Sequence, residues 1–292
     1  MRSALSTLEL VRPRSLAAAL AALNDSLANG RLTPLAGGTD LFVYLNAGTL
    51  AGRRFLDLTP LAELRGIRAR RDGVRIGALA TFREIRTHLG LRSRFPALVA
   101  AAAEIGAWQI QSRATIAGNI ANASPAGDSL PVLLAHDAVV RVRSVRGERA
   151  IEFGKLYRGY RDLDLAADEL ITGIELPEPP RGAIPFFRKV GTRRAQSISK
   201  VVFCGLATMG RGGALDGVRL AFGSVAPVPM RALHAELALA GRAPGAAAAA
   251  AAREALAQDI APIDDIRSDR EYRMTVAGNL MEQFLRAARG AL

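Results

Sequence analysis

Hydrophobic residues near the start of the chain alternate between helical and strand spacing. Four leucines spaced three or four residues apart, between a capping Ser15 and a helix-ending Gly30, predict an amphipathic helix. These leucines are Leu16, Leu20, Leu23 and Leu27. We expect an apolar strand ending at Leu35-Ala36, a short helix from Leu41 to Leu45 and a strand from Phe55 to Leu58 to follow.

A hairpin and two helices are predicted next. Strand-like runs from Ile67 to Arg71 and from Val74 to Leu79 flank the turn signal Asp72-Gly73, which is typical of a β-hairpin. Helices are predicted to begin at Thr81 and to run from Pro96 to about Ile105.

The residues from Gln109 to Asp128 are small and polar, unlike those of a packed element. We therefore predict a long functional loop over this stretch. A helix from Ser129 to His136 and strands from Val139 to Val145 and from Leu170 to Leu176 are predicted to complete this part of the chain.

The prolines at positions 177, 179 and 180 predict a domain boundary. Beyond them, strand patterns from Val201 to Met209 and from Val218 to Val225 flank a glycine-rich turn at Gly210 to Gly213 and predict an antiparallel meander. Helical segments are expected between Leu233 and Ala257, and an amphipathic helix ends the chain. Its predicted apolar face consists of Met274, Leu280, Met281, Phe284 and Leu285.

Composition narrows the function classes. The 292 residues are 50% apolar, which is enough for the buried cores of roughly two domains of about 150 residues. The net charge of +12 comes from scattered arginines, since three of the 39 basic residues are lysines, and this scatter argues against nucleic-acid binding. No signal peptide is evident between Met1 and Val11, and the alanine run from Ala246 to Ala252 is too short to span a bilayer. We expect a cytoplasmic protein that binds no membrane.

Cysteine and histidine usage limits the metal chemistry of the chain. Cys204 is the single cysteine, which excludes an internal disulfide and an iron–sulfur cluster held by this chain alone. Its apolar surroundings predict a buried residue and not a nucleophile. The histidines show no ligand spacing, and we expect no metal site; they are His88, His136 and His234.

Two glycine-centred loops carry the candidate chemistry. Ala36–Asp40 and Thr115–Asn119 each combine glycine with a threonine hydroxyl, so their backbone amides could approach phosphate oxygens closely. Neither loop has the spacing of a Rossmann fingerprint or a P-loop. The alternative is that Gly37-Gly38 only forms a strand-ending turn.

These two loops also carry a resemblance. Leu35–Leu41 and Thr115–Pro131 closely resemble the FAD-binding medium subunits of the molybdenum hydroxylases, a group that includes bacterial xanthine dehydrogenases and carbon monoxide dehydrogenase. Phe187–Arg194, Leu220–Pro227 and Arg267–Arg273 extend the resemblance along the chain.

The resemblance implies an α+β fold. Its first domain, residues 1–176, would be an FAD-binding domain of the vanillyl-alcohol-oxidase type, with subdomains at about 1–57 and 58–176. Residues 177–292 would form a smaller α+β domain with an antiparallel sheet.

The resemblance further implies which residues bind FAD. The diphosphate and ribityl chain would be held, mainly through backbone amides, by Leu35, Ala36, Gly37, Gly38, Thr39, Asp40, Leu41, Thr115, Ile116, Ala117, Gly118 and Asn119.

Further residues would surround the flavin. Asp128 would accept bonds from flavin or ribose hydroxyls, and it could also cap the helix near Ser129. Ile171 would contact the isoalloxazine, and Lys189 would place a positive charge near it, unless it is an ordinary surface lysine. Ile105 stands where some relatives have an aromatic residue beside the flavin.

The position of the flavin edge and the attachment of the cofactor are also implied. Gln196 and Ser197 stand where animal members of the family have acidic residues near the active edge of the flavin. The first glycine loop contains no histidine or cysteine, so we expect FAD to be bound noncovalently.

The implied function is electron transfer. A large molybdenum subunit and a small [2Fe-2S] subunit would deliver electrons to FAD on this chain, which would pass them to an acceptor such as NAD. The complex would be a dimer of heterotrimers, and its substrate could be a purine, an aldehyde, carbon monoxide or an N-heterocycle. The alternative is a self-sufficient FAD-dependent oxidoreductase of the same fold, although no convincing substrate-facing acid or base is evident. A non-enzymatic arginine-rich binding module is the third reading.

Overall fold

The first part of the fold is a small parallel sheet. The computed structural model describes residues 7–50 and 52–290. The strands lie in the order β1-β3-β2, and helices provide the crossovers that parallel strands need. The elements are β1 (Glu9–Val11), α1 (Leu16–Asn29), β2 (Thr33–Leu35), α2 (Leu41–Ala47) and β3 (Arg54–Asp57).

Helix α1 has the predicted ends. The Ser15 hydroxyl accepts a hydrogen bond from the Ala18 amide at 3.1 Å, and Gly30 ends the helix with a φ of 91°. The predicted apolar face is wrong in its last turn, because Leu27 is 50% exposed. Ser26 takes the buried position instead, where its hydroxyl donates to the Leu23 carbonyl.

The second part is built on a five-stranded antiparallel sheet in the order β4-β5-β10-β6-β7. The predicted hairpin at Asp72-Gly73 is confirmed, with Ile67 opposite Ile76. The strands of this sheet are β4 (Ile67–Arg70), β5 (Gly73–Gly77), β6 (Val139–Ser144), β7 (Gly147–Glu152) and β10 (Leu170–Pro177), and β8 (Tyr157–Gly159) pairs separately with β9 (Asp162–Leu163). The helices are α3 (Phe82–Thr87), α4 (Leu89–Arg94), α5 (Pro96–Glu104), α6 (Trp108–Gln111), α7 (Ile116–Asn122), α8 (Leu130–Ala135) and α9 (Phe153–Leu156).

The loop predicted between Gln109 and Asp128 is wrong for half of its length. Helices α6 and α7 occupy it, and Ile116 and Ile120 are fully buried. Gly118 and Asn119, both poor helix formers, interrupt the pattern that would have revealed α7. Thr115 begins that helix by accepting a hydrogen bond from the Gly118 amide at 3.1 Å.

The C-terminal part is an antiparallel sheet in the order β11-β12-β13-β14, as predicted for its central pair, and three helices cover it. The elements are β11 (Ile184–Val190), β12 (Val201–Met209), β13 (Leu215–Gly223), β14 (Met230–Arg231), α10 (Leu233–Leu239), α11 (Ala246–Asp259) and α12 (Arg270–Gly290). The predicted face of α12 is buried except for Met274, which is half-buried. Gly205 lets this helix approach, because a Cβ there would stand 2.8 Å from the Phe284 ring.

The sheet of the C-terminal part has two buried faces. Phe203 and Phe222 belong to the core beneath α12, whereas Cys204 and Ala221 belong to the larger core of the preceding part. Cys204 is fully buried, as predicted, and burial raises the pKa of its thiol to about 12. The thiol therefore stays protonated near neutral pH.

The predicted domain boundary and the expectation for the N-terminal segment both stay predictions. The proposed boundary at 177–180 falls between β10 and β11, and the domain limits 1–176 and 177–292 remain as predicted from the sequence. The expectation for the N-terminal segment falls largely on residues 1–6, outside the described residues. Across the described part of the chain, no helix combines the length and apolar character that a bilayer crossing requires.

Candidate functional site

A cavity of about 1600 Å³ lies where the three parts of the fold meet. It is larger than the roughly 300–1,000 Å³ typical of small-molecule sites, which suits an extended ligand. All but two of the predicted site residues line it: Leu35, Ala36, Gly37, Gly38, Thr39, Asp40, Leu41, Ile105, Thr115, Ala117, Gly118, Asn119, Asp128 and Ile171. Ile116 is instead fully buried in the core, and Lys189 lies behind Asp128.

The first glycine loop packs against the second part of the fold. A Cβ atom at residue 37 would stand 2.0 Å from the Arg113 carbonyl oxygen, so only glycine fits there without displacing backbone. Gly38 has a φ of 75°, in the left-handed region that favours glycine.

This loop also leaves backbone donors free. Among the described residues, the structure gives no hydrogen bond from the amides of residues 37–41 to any acceptor. Successive amides without internal partners make an anion-binding concavity, because each retains an unused donor. The first loop therefore has the chemistry of the predicted phosphate cradle.

The second loop differs from the prediction in how it can bind. The amides of Ile116 and Ala117 already donate to the carbonyls of Ala80 and Ala78, at 3.0 and 3.3 Å. Those of Gly118 and Asn119 donate to the side chain and carbonyl of Thr115. The amides of residues 116–119 are thus unavailable, and the side chains that this loop presents to the cavity are those of Thr115 and Asn119.

A buried ion pair stands at the cavity wall. The Lys189 ammonium donates to Asp128 Oδ2 at 2.7 Å and to the Glu104 carbonyl at 3.0 Å, and both side chains are more than nine-tenths buried. The Ser199 hydroxyl donates to the other Asp128 oxygen. Burial raises the pKa of Asp128, and the charge of Lys189 opposes that rise.

This arrangement tests the predicted capping role of Asp128, while its predicted role towards the cofactor stays a prediction. Its carboxylate lines the cavity and is held by Lys189 and Ser199, while Ser129 is the residue at the start of α8. The predicted capping role is therefore wrong. Lys189 is not an ordinary surface lysine, since its side chain is 6% exposed.

Apolar residues form another part of the wall. Ile105 and Ile171 are 8% and 6% exposed and both face the cavity. The Gln111 side chain donates to the Ile105 carbonyl at 3.0 Å, which fixes the chain end of α5. The pairing of β10 with β6 shifts register between Ile171 and Gly173, an irregularity that re-aims a strand locally.

The C-terminal part closes the cavity. Gln196 and Ser197 line it, and the Gln196 amide donates to the Gly106 carbonyl at 3.1 Å. The Ser224 amide donates to the Pro125 carbonyl at 2.9 Å. Residues from all three parts are therefore needed to complete the site.

Among the lining residues that sequence reasoning missed are three that are linked by hydrogen bonds: Tyr44, Asn122 and Arg161. The Tyr44 hydroxyl donates to Asn122 Oδ1 at 3.0 Å and accepts a hydrogen bond from the Arg161 guanidinium at 3.1 Å. These partners are 78 and 117 positions away in the sequence, and no local pattern signals such contacts.

Comparison with known proteins places this chain in a family. The family described as the FAD binding domain in molybdopterin dehydrogenase matches residues 6–179, and the CO dehydrogenase flavoprotein C-terminal domain matches residues 186–288. The chain belongs to the FAD-binding medium subunits of the molybdenum hydroxylases. The predicted class, an oxidoreductase flavoprotein subunit with FAD as cofactor, is confirmed.

Individual relatives cover nearly the whole chain. The xanthine dehydrogenase FAD-binding subunit of Escherichia coli O157:H7 is 33% identical over 289 residues, which is 96% of this chain and 97% of that protein. The glyceraldehyde dehydrogenase medium chain of Sulfolobus acidocaldarius is 33% identical over 226 residues, 77% of this chain and 78% of that protein.

Solved structures agree. A carbon monoxide dehydrogenase structure from Hydrogenophaga pseudoflava has a TM-score of 0.92 at 27% identity, with 97% of this chain and 98% of that chain covered. The predicted α+β fold, an FAD-binding domain followed by a domain with an antiparallel sheet, is confirmed.

Proposed function

We propose that this chain is the electron-transfer subunit of a multi-subunit molybdenum hydroxylase. The observation that carries the proposal is the run of free backbone amides at residues 37–41, which faces a cavity large enough for a dinucleotide in a chain of this family. FAD supplies an exchange between one-electron and two-electron transfers. The protein supplies binding, orientation and exclusion of water.

The residues of the cavity divide this work. The amides of residues 37–41 donate to the diphosphate oxygens, and the side chains of Thr115 and Asn119 add neutral donors from the facing loop. Asp128 accepts hydrogen bonds from hydroxyl groups of the cofactor, while Lys189 and Ser199 fix its orientation. This support keeps a charged acceptor in place within a buried wall.

Ile105 and Ile171 pack against the ring system and exclude water from it. The described residues that line the cavity include no histidine or cysteine, which supports noncovalent binding. The Lys189 ammonium is paired with Asp128, so Lys189 acts by holding that carboxyl group in place and not as a free positive charge.

The partners are a large molybdenum subunit and a small [2Fe-2S] subunit, assembled as a dimer of heterotrimers in the cytoplasm. Relatives named as medium chains or subunits support this assignment. The one cysteine of the chain is buried in the core, which supports placing the iron–sulfur clusters in a partner. The terminal acceptor is a soluble oxidant such as NAD.

The substrate is chosen by the large subunit. Relatives of this chain are named as subunits of xanthine, nicotinate, glyceraldehyde and carbon monoxide dehydrogenases. All of them are similar to this chain over most or much of their length, so the similarity does not distinguish among these substrates. A purine, an aldehyde, carbon monoxide or an N-heterocycle are the candidate classes.

The test is purification of the full chain with its co-purifying subunits. We expect a flavin absorbance spectrum, release of FAD on denaturation, and molybdenum and iron in the partner subunits. A colourless chain that takes up no added FAD would contradict the cofactor site. A chain that retains FAD and purifies alone from its native host would contradict the assignment as a subunit.

A further inference from the structure

Tyr44 connects three elements around the cavity. It lies on α2, directly after the first glycine loop, and its hydroxyl makes two hydrogen bonds. One partner, Asn122, is the last residue of α7, and the other, Arg161, lies at the tip of the β8–β9 hairpin. The phenolic oxygen thus joins the part that carries the free amides to two elements of the neighbouring part.

Packing does little to hold α2 in place. Leu45 is the one buried residue of this seven-residue helix, whereas Phe42 and Val43 are 45% and 60% exposed. A helix with so little buried apolar surface depends on its polar contacts for a fixed position. The Tyr44 hydroxyl provides two of them.

Arg161, the other partner of the Tyr44 hydroxyl, has further contacts within the neighbouring part. Its φ of 55° is uncommon for a residue other than glycine. The hairpin that carries it is anchored by the Tyr157 hydroxyl, which donates to the Ile120 carbonyl at 3.1 Å. The Arg161 guanidinium also lies 5.5 Å from the Tyr44 ring centroid and 5.7 Å from that of Tyr160, within the range of cation–π attraction.

Tyr44, Asn122 and Arg161 all line the cavity. Opening the cavity between α2 and α7 would break the Tyr44–Asn122 bond, and opening it between α2 and the hairpin would break the Tyr44–Arg161 bond. Both separations move the free amides of residues 37–41 away from the facing wall.

We propose that Tyr44 is a positioning residue whose hydroxyl, bonded to Asn122 and Arg161, latches the cavity shut and sets the rate at which the bound cofactor leaves. This inference rests on the proposed function, since it assumes that FAD occupies the cavity. The latch acts on retention of the dinucleotide and leaves the binding groups themselves unchanged.

The test is the dissociation rate of FAD from the full chain, measured by flavin fluorescence after dilution. Tyr44→Phe keeps the ring and removes both hydrogen bonds, so we expect dissociation to become about tenfold faster. Tyr272→Phe is the matched control, because Tyr272 lies on α12, is not among the residues that line the cavity and is 40% exposed. Its dissociation rate should equal that of the wild type.

A double-mutant cycle separates a latch from a general loss of stability. Tyr44→Phe and Asn122→Ala remove the same bond, so their effects on the dissociation rate should be less than additive. The unfolding temperature of each cofactor-free variant is measured alongside. Arg161→Gln, at an exposed hairpin tip, offers a second route should Tyr44→Phe fold poorly, and about threefold faster release is expected for the loss of one bond.

The outcomes are distinct. Release that is as slow in Tyr44→Phe as in the wild type would overturn the latch while leaving the cofactor site intact. Additive effects in the cycle would also overturn it. A wild-type chain that never retains FAD would instead overturn the proposed function.

Discussion

The backbone of Gly37 rests directly on the carbonyl oxygen of Arg113, where a Cβ atom would come within 2.0 Å of that oxygen. The contact joins the first glycine loop to the segment just before α7. The position of the free amides relative to the Thr115 side chain therefore requires glycine at position 37, because a side chain there would push the two segments apart.

Gly37→Ala should separate the two loops. The clash is with backbone, which cannot rotate away, so we expect a loss of about 1–3 kcal/mol in unfolding free energy and weaker FAD binding. Denaturant unfolding of the cofactor-free chain and FAD titration measure the two effects. Gly154→Ala is the control, because a Cβ there meets Leu134 at an ordinary 3.6 Å. Equal behaviour of both variants would contradict the close approach.

Thr115→Ala should weaken both the helix and the site. Loss of the bond from the Gly118 amide should cost about 1 kcal/mol of stability, as for other helix caps. FAD affinity should fall as well, since the hydroxyl lines the cavity. Ser15→Ala removes the comparable cap of α1, where the Ser15 hydroxyl accepts from the Ala18 amide at 3.1 Å, and should cost similar stability without changing FAD affinity. An equal loss of FAD affinity in the two variants would exclude a direct role for Thr115.

Lys189→Met should leave Asp128 buried without its partner. Breaking a buried ion pair from one side should cost about 3–5 kcal/mol of unfolding free energy. Lys155→Met, which breaks an exposed pair with Glu152, should change stability by less than about 1 kcal/mol. The comparison is made by urea unfolding of both variants, and similar losses in the two would be inconsistent with a buried pair.

The cost of Lys189→Met should grow with pH. Burial raises the pKa of Asp128 above its unfolded value, and removal of the ammonium raises it further. At pH values between the unfolded and the folded pKa of Asp128, the folded state binds one more proton than the unfolded state. The free energy of unfolding therefore falls as pH rises. We expect the gap between wild type and variant to widen as pH rises above about 4, the pKa of an aspartate in the unfolded chain. A gap that narrows over this range would show that the carboxylate is paired elsewhere.

His136 should make the protein sensitive to acid. Burial lowers its pKa to about 4, and its Nε2 has no hydrogen-bond partner among the described residues. The unfolded state takes up the proton at a higher pH, so stability is lost as pH falls from about 6.5 towards 4. His136→Leu should remove on the order of 2 kcal/mol from the decrease in unfolding free energy between about pH 6.5 and pH 4. An unchanged acid slope in the variant would assign the sensitivity to other groups.

The elements that the sequence predicts well depend on neighbours along the chain. Each of these features involves residues within a few positions of one another: the cap at Ser15, the helix end at Gly30 and the hairpin turn at Asp72-Gly73. Helix α7 was hidden because its glycine and asparagines have low helix propensity, and burial of Ile116 and Ile120 outweighs that propensity.

The candidate site likewise combines features that the sequence marks with features that only the folded structure shows. Glycines and threonines mark both loops in the sequence, but the sequence does not say which amides are already used. That depends on Ala78 and Ala80, whose carbonyls reach the second loop from another element. The contacts of Tyr44 and the pairing of Lys189 with Asp128 join positions far apart in the chain, and they arise only when the parts pack together.

The two-faced sheet has a consequence for synthesis. Helices α5 and α8 pack against β11, β12 and β13, and Cys204 completes the core of the part that precedes it. The first 176 residues therefore leave the ribosome with an apolar face that nothing yet covers. Until β12 and β13 emerge, this nascent half is exposed to aggregation, and a chaperone that shields it would raise the yield of folded protein.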